Sequence, residues 1–233
     1  MKTIFITLSD GEVSKSIIHS DIFPKLQEQL RLVFLVPPGK LEFYRGSVAS
    51  EHVVVEVMPP ATRPRLEEAF ADIFLYSLHT PSIRVKIEHS YYSGGSIVGR
   101  FIKYALWTLG ALYLYRASVR LLYRAVPDSS LDALFATYKP ALVFAANLTS
   151  MEDARLIKAA GRHGARSVGM PKGWDNLTLK TFLPVAPDRL LVQNELMQED
   201  AAYLDYPRKR VTIAGFPKFD MYTDHSVLLP REE

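Results

Sequence analysis

Seven short runs of apolar, largely β-branched or aromatic residues recur along the chain, at 3–8, 32–36, 53–57, 141–145, 166–169, 190–193 and 211–214. They are close to continuously apolar, and stretches of helical period lie between them. Strands buried on both faces read this way, whereas a sheet with one wet face alternates. The expected class is therefore α/β: a Rossmann-like, doubly wound, mostly parallel sheet of about seven strands. At 233 residues and 48% hydrophobic content the chain can bury a sizeable core.

The helices between the runs carry start and stop signals. Ser150 precedes Met151, Glu152 and Asp153 in the manner of a capping box, with Gly164 beyond the far end. Asn194 stands before a helix expected at 195–203, and Asp128 or Ser129 before one at 131–138 that Pro140 stops. The pattern breaks at 79–127, where Pro81, Gly94, Gly95 and Gly99 lead into a long helical stretch, so this segment is expected to be a helical insertion in the domain.

That insertion is basic and aromatic. No acidic residue occurs from 89 to 127, while Arg100, Lys103, Arg116, Arg120 and Arg124 do. Its uncharged stretch at 104–115 would extend only about 18 Å as a helix, short of a hydrocarbon core of roughly 30 Å, so it should not span a membrane. Two placements stay open. The arginines at 116, 120 and 124 fall one turn apart on a single stripe and could face an anionic bilayer surface together with Arg100 and Lys103; alternatively the helix belongs to the core and arginines solvate its ends.

Composition narrows the chemistry. The formal charge is +3, too near neutral to make nucleic acid the leading partner. Without cysteine there is no disulfide, thiolate nucleophile or sulfur-bound zinc, and the six scattered histidines form no ligand pattern, so no metal is expected. The opening apolar run is too brief for a signal-peptide core, which fits a cytoplasmic location, at the inner face of the plasma membrane if the insertion docks there. No GxGxxG, Walker A or G-x-S-x-G run occurs.

In an open parallel sheet, ligands bind at the carboxyl ends of strands. The loop after the first run holds Asp10, Gly11 and Glu12; the loop after the fourth holds Asn147; the loop after the fifth holds Lys172, Trp174, Asp175 and Asn176. An aromatic face beside carboxylate and amide groups suits a sugar, whose C–H faces stack on rings while its hydroxyls need donors and acceptors. Each residue also has a plainer use: Asp10 as an N-cap, Gly11 as a sharp turn, Trp174 as filling for the core edge, Asp175 or Asn176 as the cap of the next helix.

Three stretches carry a family resemblance: SDGEVSKSIIHSDIF near the start, ATYKPALVFAANLTSMEDARLIKAAGRHGARSVGMPKGWDNLT in the middle, and PDRLLVQNELMQEDAAYL with KRVTIAGFPKFDMY near the end. Together they resemble the amino-terminal half of bacterial GT-B type glycosyltransferases of surface-polysaccharide and lipopolysaccharide assembly. They are similar also to sugar-nucleotide 2-epimerases and glycerophosphotransferases. The resemblance implies a GT-B amino-terminal domain over 1–222, with 223–233 the start of a second domain or a tail. It implies a sugar or glycolipid acceptor as partner, and a nucleotide sugar as co-substrate of a second domain or a separate donor-binding subunit, with no cofactor in this chain. Asp10, Glu12 and Asp175 become candidates for a general base, and Gly11, Asn147, Lys172, Trp174 and Asn176 for substrate contact. Local departures bear on substrate: Gly173 stands where serine is common, Leu179 and Thr181 where Ser and Gly are expected, and Gln193 where Trp is frequent. The alternatives are a non-catalytic membrane-docking or partner-binding module of a split transferase, and an epimerase-like enzyme that needs no acceptor.

Overall fold

The computed structural model describes residues 1–48 and 50–222. The segment 223–233, expected to open a second domain or form a tail, lies outside the described residues. Seven strands form one sheet: β1 (Lys2–Thr7), β2 (Leu30–Val36), β3 (Val53–Val57), β4 (Leu142–Ala145), β5 (Arg166–Gly169), β6 (Arg189–Val192) and β7 (Val211–Ile213). Each falls within two residues of an expected run. Every pairing is parallel, and the order is β3-β2-β1-β4-β5-β6-β7.

The pleat explains why the runs are continuously apolar. Successive side chains point to opposite faces, and both faces are covered. Phe5, Val33, Leu35 and Val143 pack on one face with Leu131, Phe135 and Leu156. Ile6, Leu32, Phe34 and Val36 pack on the other with Val13, Ile17 and Tyr44. Beneath these lie α1 (Gly11–Ile18), α2 (Ile22–Gln29) and α3 (Leu41–Ser47) on the second face, and α8 (Asp132–Tyr138) and α9 (Met151–Arg162) on the first.

Successive strands step outward from β1 to β2 and β3, and then outward the other way from β4 to β7. The reversal between β1 and β4 is the switch point, where diverging loops leave a crevice at the strands' carboxyl ends.

Between β3 and β4 come α4 (Pro64–Tyr76), α5 (Pro81–Tyr92), α6 (Ile97–Leu109) and α7 (Tyr113–Ala125). The long helical stretch expected after Gly99 is therefore broken into α6 and α7. The break falls at Gly110, where a Cβ would sit 2.0 Å from the Ser77 carbonyl oxygen, so only glycine lets the chain pass that backbone. Arg116 then donates to the carbonyl left at the break.

Caps follow the sequence signals in part. Ser150 accepts from the Asp153 N–H, Asn194 caps α11 (Glu195–Asp200) through the Met197 N–H, and Gly164 takes a positive φ. Asp128 does not cap α8. It is buried against Arg155 at 2.8 Å and also accepts from Thr62 and from the Ser130 N–H, and these partners hold its carboxyl far below the usual range although burial pushes it up. Gly11 has no positive φ and serves as the first residue of α1, so the sharp turn expected there does not form.

Candidate functional site

Three strand-end loops meet at the switch point. The Lys172 Nζ, after β5, lies 2.9 Å from Asp10 Oδ2 and 2.9 Å from Glu12 Oε2, after β1. The Asn147 side-chain nitrogen, after β4, donates to Ser9 Oγ at 3.2 Å. Five residues picked from sequence, Asp10, Gly11, Glu12, Asn147 and Lys172, thus come from three loops to one place.

Asp10 has two functions at once. Its Oδ1 accepts from the Glu12 and Val13 N–H groups and caps α1, while its Oδ2 takes Lys172. Partial burial pushes its carboxyl up, but the Lys172 ammonium and the cap N–H groups outweigh that and leave it below the usual range. Glu12 is lowered too, chiefly by its bond to Lys172, and Lys172 is raised by the bonds to Asp10 and Glu12. Both carboxylates are therefore held as anions, which suits accepting hydrogen bonds from hydroxyls and weakens each as a proton acceptor.

Trp174 does not fill the core edge. It is 69% exposed at the tip of the loop after β5. Asp175 makes no side-chain cap to α10 (Asn176–Leu179). Asn176 is buried below it, and with its amide nitrogen donating to Asp175 Oδ1 at 2.9 Å its oxygen accepts from the Gly173 N–H at 3.3 Å. A Cβ on Gly173 would lie 3.0 Å from Asp175 Oδ1, so any larger residue there would press on the Asp175 carboxylate.

Beside this cluster, toward β2 and β3, opens a cleft of about 710 Å³. Its wall includes Asp10 and Asn147, a run of prolines from Pro37 to Pro64, and acidic side chains from α4. Glu12, Lys172, Trp174, Asp175 and Asn176 do not line it.

Two residues of this region had no functional reading in the sequence. Asp153, which the sequence presents as a helix-start residue, is completely buried on the cleft wall; its Oδ2 accepts from the Asn147 N–H at 2.7 Å and its Oδ1 has no hydrogen-bond partner. Burial pushes it up to about 7, against the lowering effect of that N–H and of the Thr7 hydroxyl. Arg155 is buried two residues further along, donating to Asp128, the Pro59 carbonyl and Ser130. No sequence signal marks either, because burial of an ionisable group depends on what the fold packs over it.

The basic stripe of the insertion needs correction. Arg116 and Arg120 do not face outward: both grip Asp205, Arg116 Nε and Arg120 Nη1 each at 2.8 Å, and Arg120 also donates to the Leu183 and Leu204 carbonyls. Their side chains are about as buried as that of Asp205, which supplies the acid the insertion itself lacks. Arg100 is turned onto Glu88 at 2.9 Å and Lys103 onto Ser90 at 2.7 Å, so of the five cations only Arg124 is exposed. Among the described residues no helix is long and apolar enough to cross a membrane, and no group of three or more His, Asp and Glu could hold a metal ion.

The segment Gly215 to Asp220, which the resemblance reads as the crossing to a second domain, runs into a 3-10 helix (Pro217–Tyr222) that packs back on α1.

No family model matches the chain, and no curated protein does. Among solved structures, Phytolacca americana UGT2 complexed with UDP-2fluoro-glucose and pterostilbene is similar at 11% identity over 92% of this chain and 54% of that one, with a TM-score of 0.40. Arabidopsis thaliana UGT89C1 complexed with UDP is similar at 11% identity over 92% of this chain and 48% of that one, with a TM-score of 0.38. The chain spans about half the length of these structures. The fold assignment rests on the strand order, not on these likenesses.

Proposed function

We propose that this chain is the acceptor-binding half of a GT-B type sugar transferase acting in cell-surface polysaccharide or glycolipid synthesis, with a nucleotide sugar held by a second domain or a separate subunit. The supporting observation is the junction of three strand-end loops at the β1/β4 switch point, where Lys172 joins Asp10 and Glu12, Asp10 lines a cleft, and the loop that carries Lys172 also exposes Trp174. In this reading Trp174 stacks on the C–H face of a sugar and the anionic carboxylates accept from its hydroxyls. Asn147 and Asn176 shape the loops around them. Of the three candidate bases Asp175 is the one that Lys172 does not bond.

One observation favours a second reading, a non-catalytic partner-binding module of a split transferase: the ion pairs with Lys172 weaken both Asp10 and Glu12 as bases. Saturation-transfer NMR of the chain against a panel of oligosaccharides and glycolipid headgroups tests the first. Binding that Trp174→Ala removes supports it. No saccharide signal, with stable capture of a separate donor-binding subunit that Trp174→Ala leaves intact, would establish the second instead.

A further inference from the structure

On a helix at a protein surface the charged side normally meets water and the apolar side meets the core. In α6 and α7 the rule holds only in part: Val119 and Tyr123 of α7 are buried and Leu106 and Trp107 of α6 pack against the same core, yet most of the cations are bonded and an apolar stripe is left outside. Arg100 and Lys103 of α6 bond to Glu88 and Ser90 of α5, Arg100 staying 33% exposed, and Trp107 donates to the Thr80 carbonyl. Arg116 and Arg120 of α7 turn inward to Asp205. What points outward is apolar: Ile97, Phe101 and Ile102 on α6, Leu114, Leu121 and Leu122 on α7, with Phe101 at 69% and Leu114 at 78% exposure. The spacings 97, 101 and 102 and 114, 121 and 122 each make one helical stripe. Scattered exposed leucines need no explanation, but two successive helices whose cations are mostly held in bonds while their apolar stripes lie outward do.

We propose that the outward face of α6 and α7 docks on the surface of an anionic lipid bilayer, both helices lying in the interfacial plane with their apolar stripes among the acyl chains. Charge selects the lipid over other apolar surfaces. From 81 to 125 the only acid is Glu88, and it is taken up by Arg100 and Tyr104, so the exposed charges of this segment are the cations Arg84 and Arg124. A segment with no free acid and exposed cations meets no repulsion at an anionic headgroup layer and gains from it. At 13 residues each, the helices are about 20 Å long, fit for lying in the interface rather than spanning it. Of the arginines expected to carry membrane contact, Arg116 and Arg120 are thus structural, and the contact passes chiefly to the aliphatic stripe. This inference stands on the insertion's own geometry and is independent of what the cleft binds.

The absence of cysteine gives a clean test. The full chain carrying Phe101→Cys, labelled with an environment-sensitive fluorophore, is mixed with vesicles of phosphatidylcholine alone or with phosphatidylglycerol, and Glu28→Cys on α2 serves as the distant control. Flotation with the anionic vesicles, a blue shift at position 101 and none at position 28 are expected. The double variant Phe101→Asp with Leu121→Asp should keep the wild-type circular dichroism and melting temperature, since both sites point outward, and should partition at least tenfold less. Failure of the wild-type chain to float with anionic vesicles overturns the proposal, as does a double variant that floats as well as wild type. A dimer in light scattering that the double variant splits, without vesicle binding, also overturns it and assigns the face to a second copy.

Discussion

Lys172 with Asp10 at the strand ends, and Arg120 with Asp205 in the insertion, are both cation–carboxylate pairs between residues far apart in sequence. Their side chains are 30% and 38% exposed in the first pair and 14% and 15% in the second. That difference decides what each does. A partly wet pair contributes little to stability but sets the protonation of the groups it joins. A dry pair is obligatory once made, because removing one member strands the other's charge. The candidate site is built from the first kind and α7 is fastened by the second.

The sharpest way to break the comparison is Asp205→Ala. It leaves Arg116 and Arg120 buried without their acid, and the expected cost is about 3 to 5 kcal/mol, or a fall in melting temperature of roughly 6 to 20 °C for a domain of this size. Thermal unfolding by circular dichroism reads it directly. A shift of a degree or two would mean that water reaches these arginines and that the two pairs are of one kind.

Asp153 extends the dry side of the comparison into the site. Its folded pKa of about 7 stands above the ordinary 3.8. Between about pH 4 and 7 the folded chain therefore keeps a proton that the unfolded chain has released, and stability from this group falls as pH rises through that window, then levels off. The span is at most about 4 kcal/mol. Asp153→Asn retains an oxygen for the Asn147 N–H but has no proton to lose, so wild type minus variant should fall from pH 4 to 7 in urea titrations. Parallel curves for the two proteins would place the carboxylate in contact with water.

Trp174→Ala sharpens the wet side. At 69% exposure its loss should leave the melting temperature within about a degree, while affinity for a stacked saccharide drops by about 1 to 3 kcal/mol, or roughly 5- to 150-fold. Calorimetry and melting on the same variant separate these. A large fall in melting temperature would return Trp174 to the core edge.

The same contrast explains what could be read without coordinates. All seven strands were legible, because burial on both faces leaves a continuous apolar run that little else produces. The meeting of Asp10, Glu12, Asn147 and Lys172 was legible as well, since a parallel sheet brings every strand-end loop to one edge. The orientation of the insertion was not. A helix of mixed arginine and leucine offers two faces, and which one turns inward depends on Asp205, 85 and 89 residues beyond the arginines it binds and on an unrelated turn. Asp153 was hidden for a similar reason: its place at a helix start is visible in sequence, while the covering that raises its pKa comes from other elements.

The smallest expected effect concerns Lys172. Because the Lys172, Asp10 and Glu12 side chains are 30%, 38% and 65% exposed, screening by solvent limits the loss from Lys172→Ala to less than about 1 kcal/mol at neutral pH. The pH dependence is the more telling reading. Asp10 and Glu12 are held below their ordinary values, so the stability they gain from Lys172 is present above about pH 4 to 5 and is lost as pH falls through their folded values. Wild type should thus exceed the variant slightly near pH 7, and the two should converge in acid. In the variant both carboxyls should titrate closer to ordinary values, Glu12 moving more completely because the α1 cap still lowers Asp10; carbon-detected NMR of the two side chains follows each separately. If Asp10 and Glu12 titrated identically with and without the lysine, the ion pair would not govern the strand-end cluster, and the reason for regarding its carboxylates as poor bases would be gone.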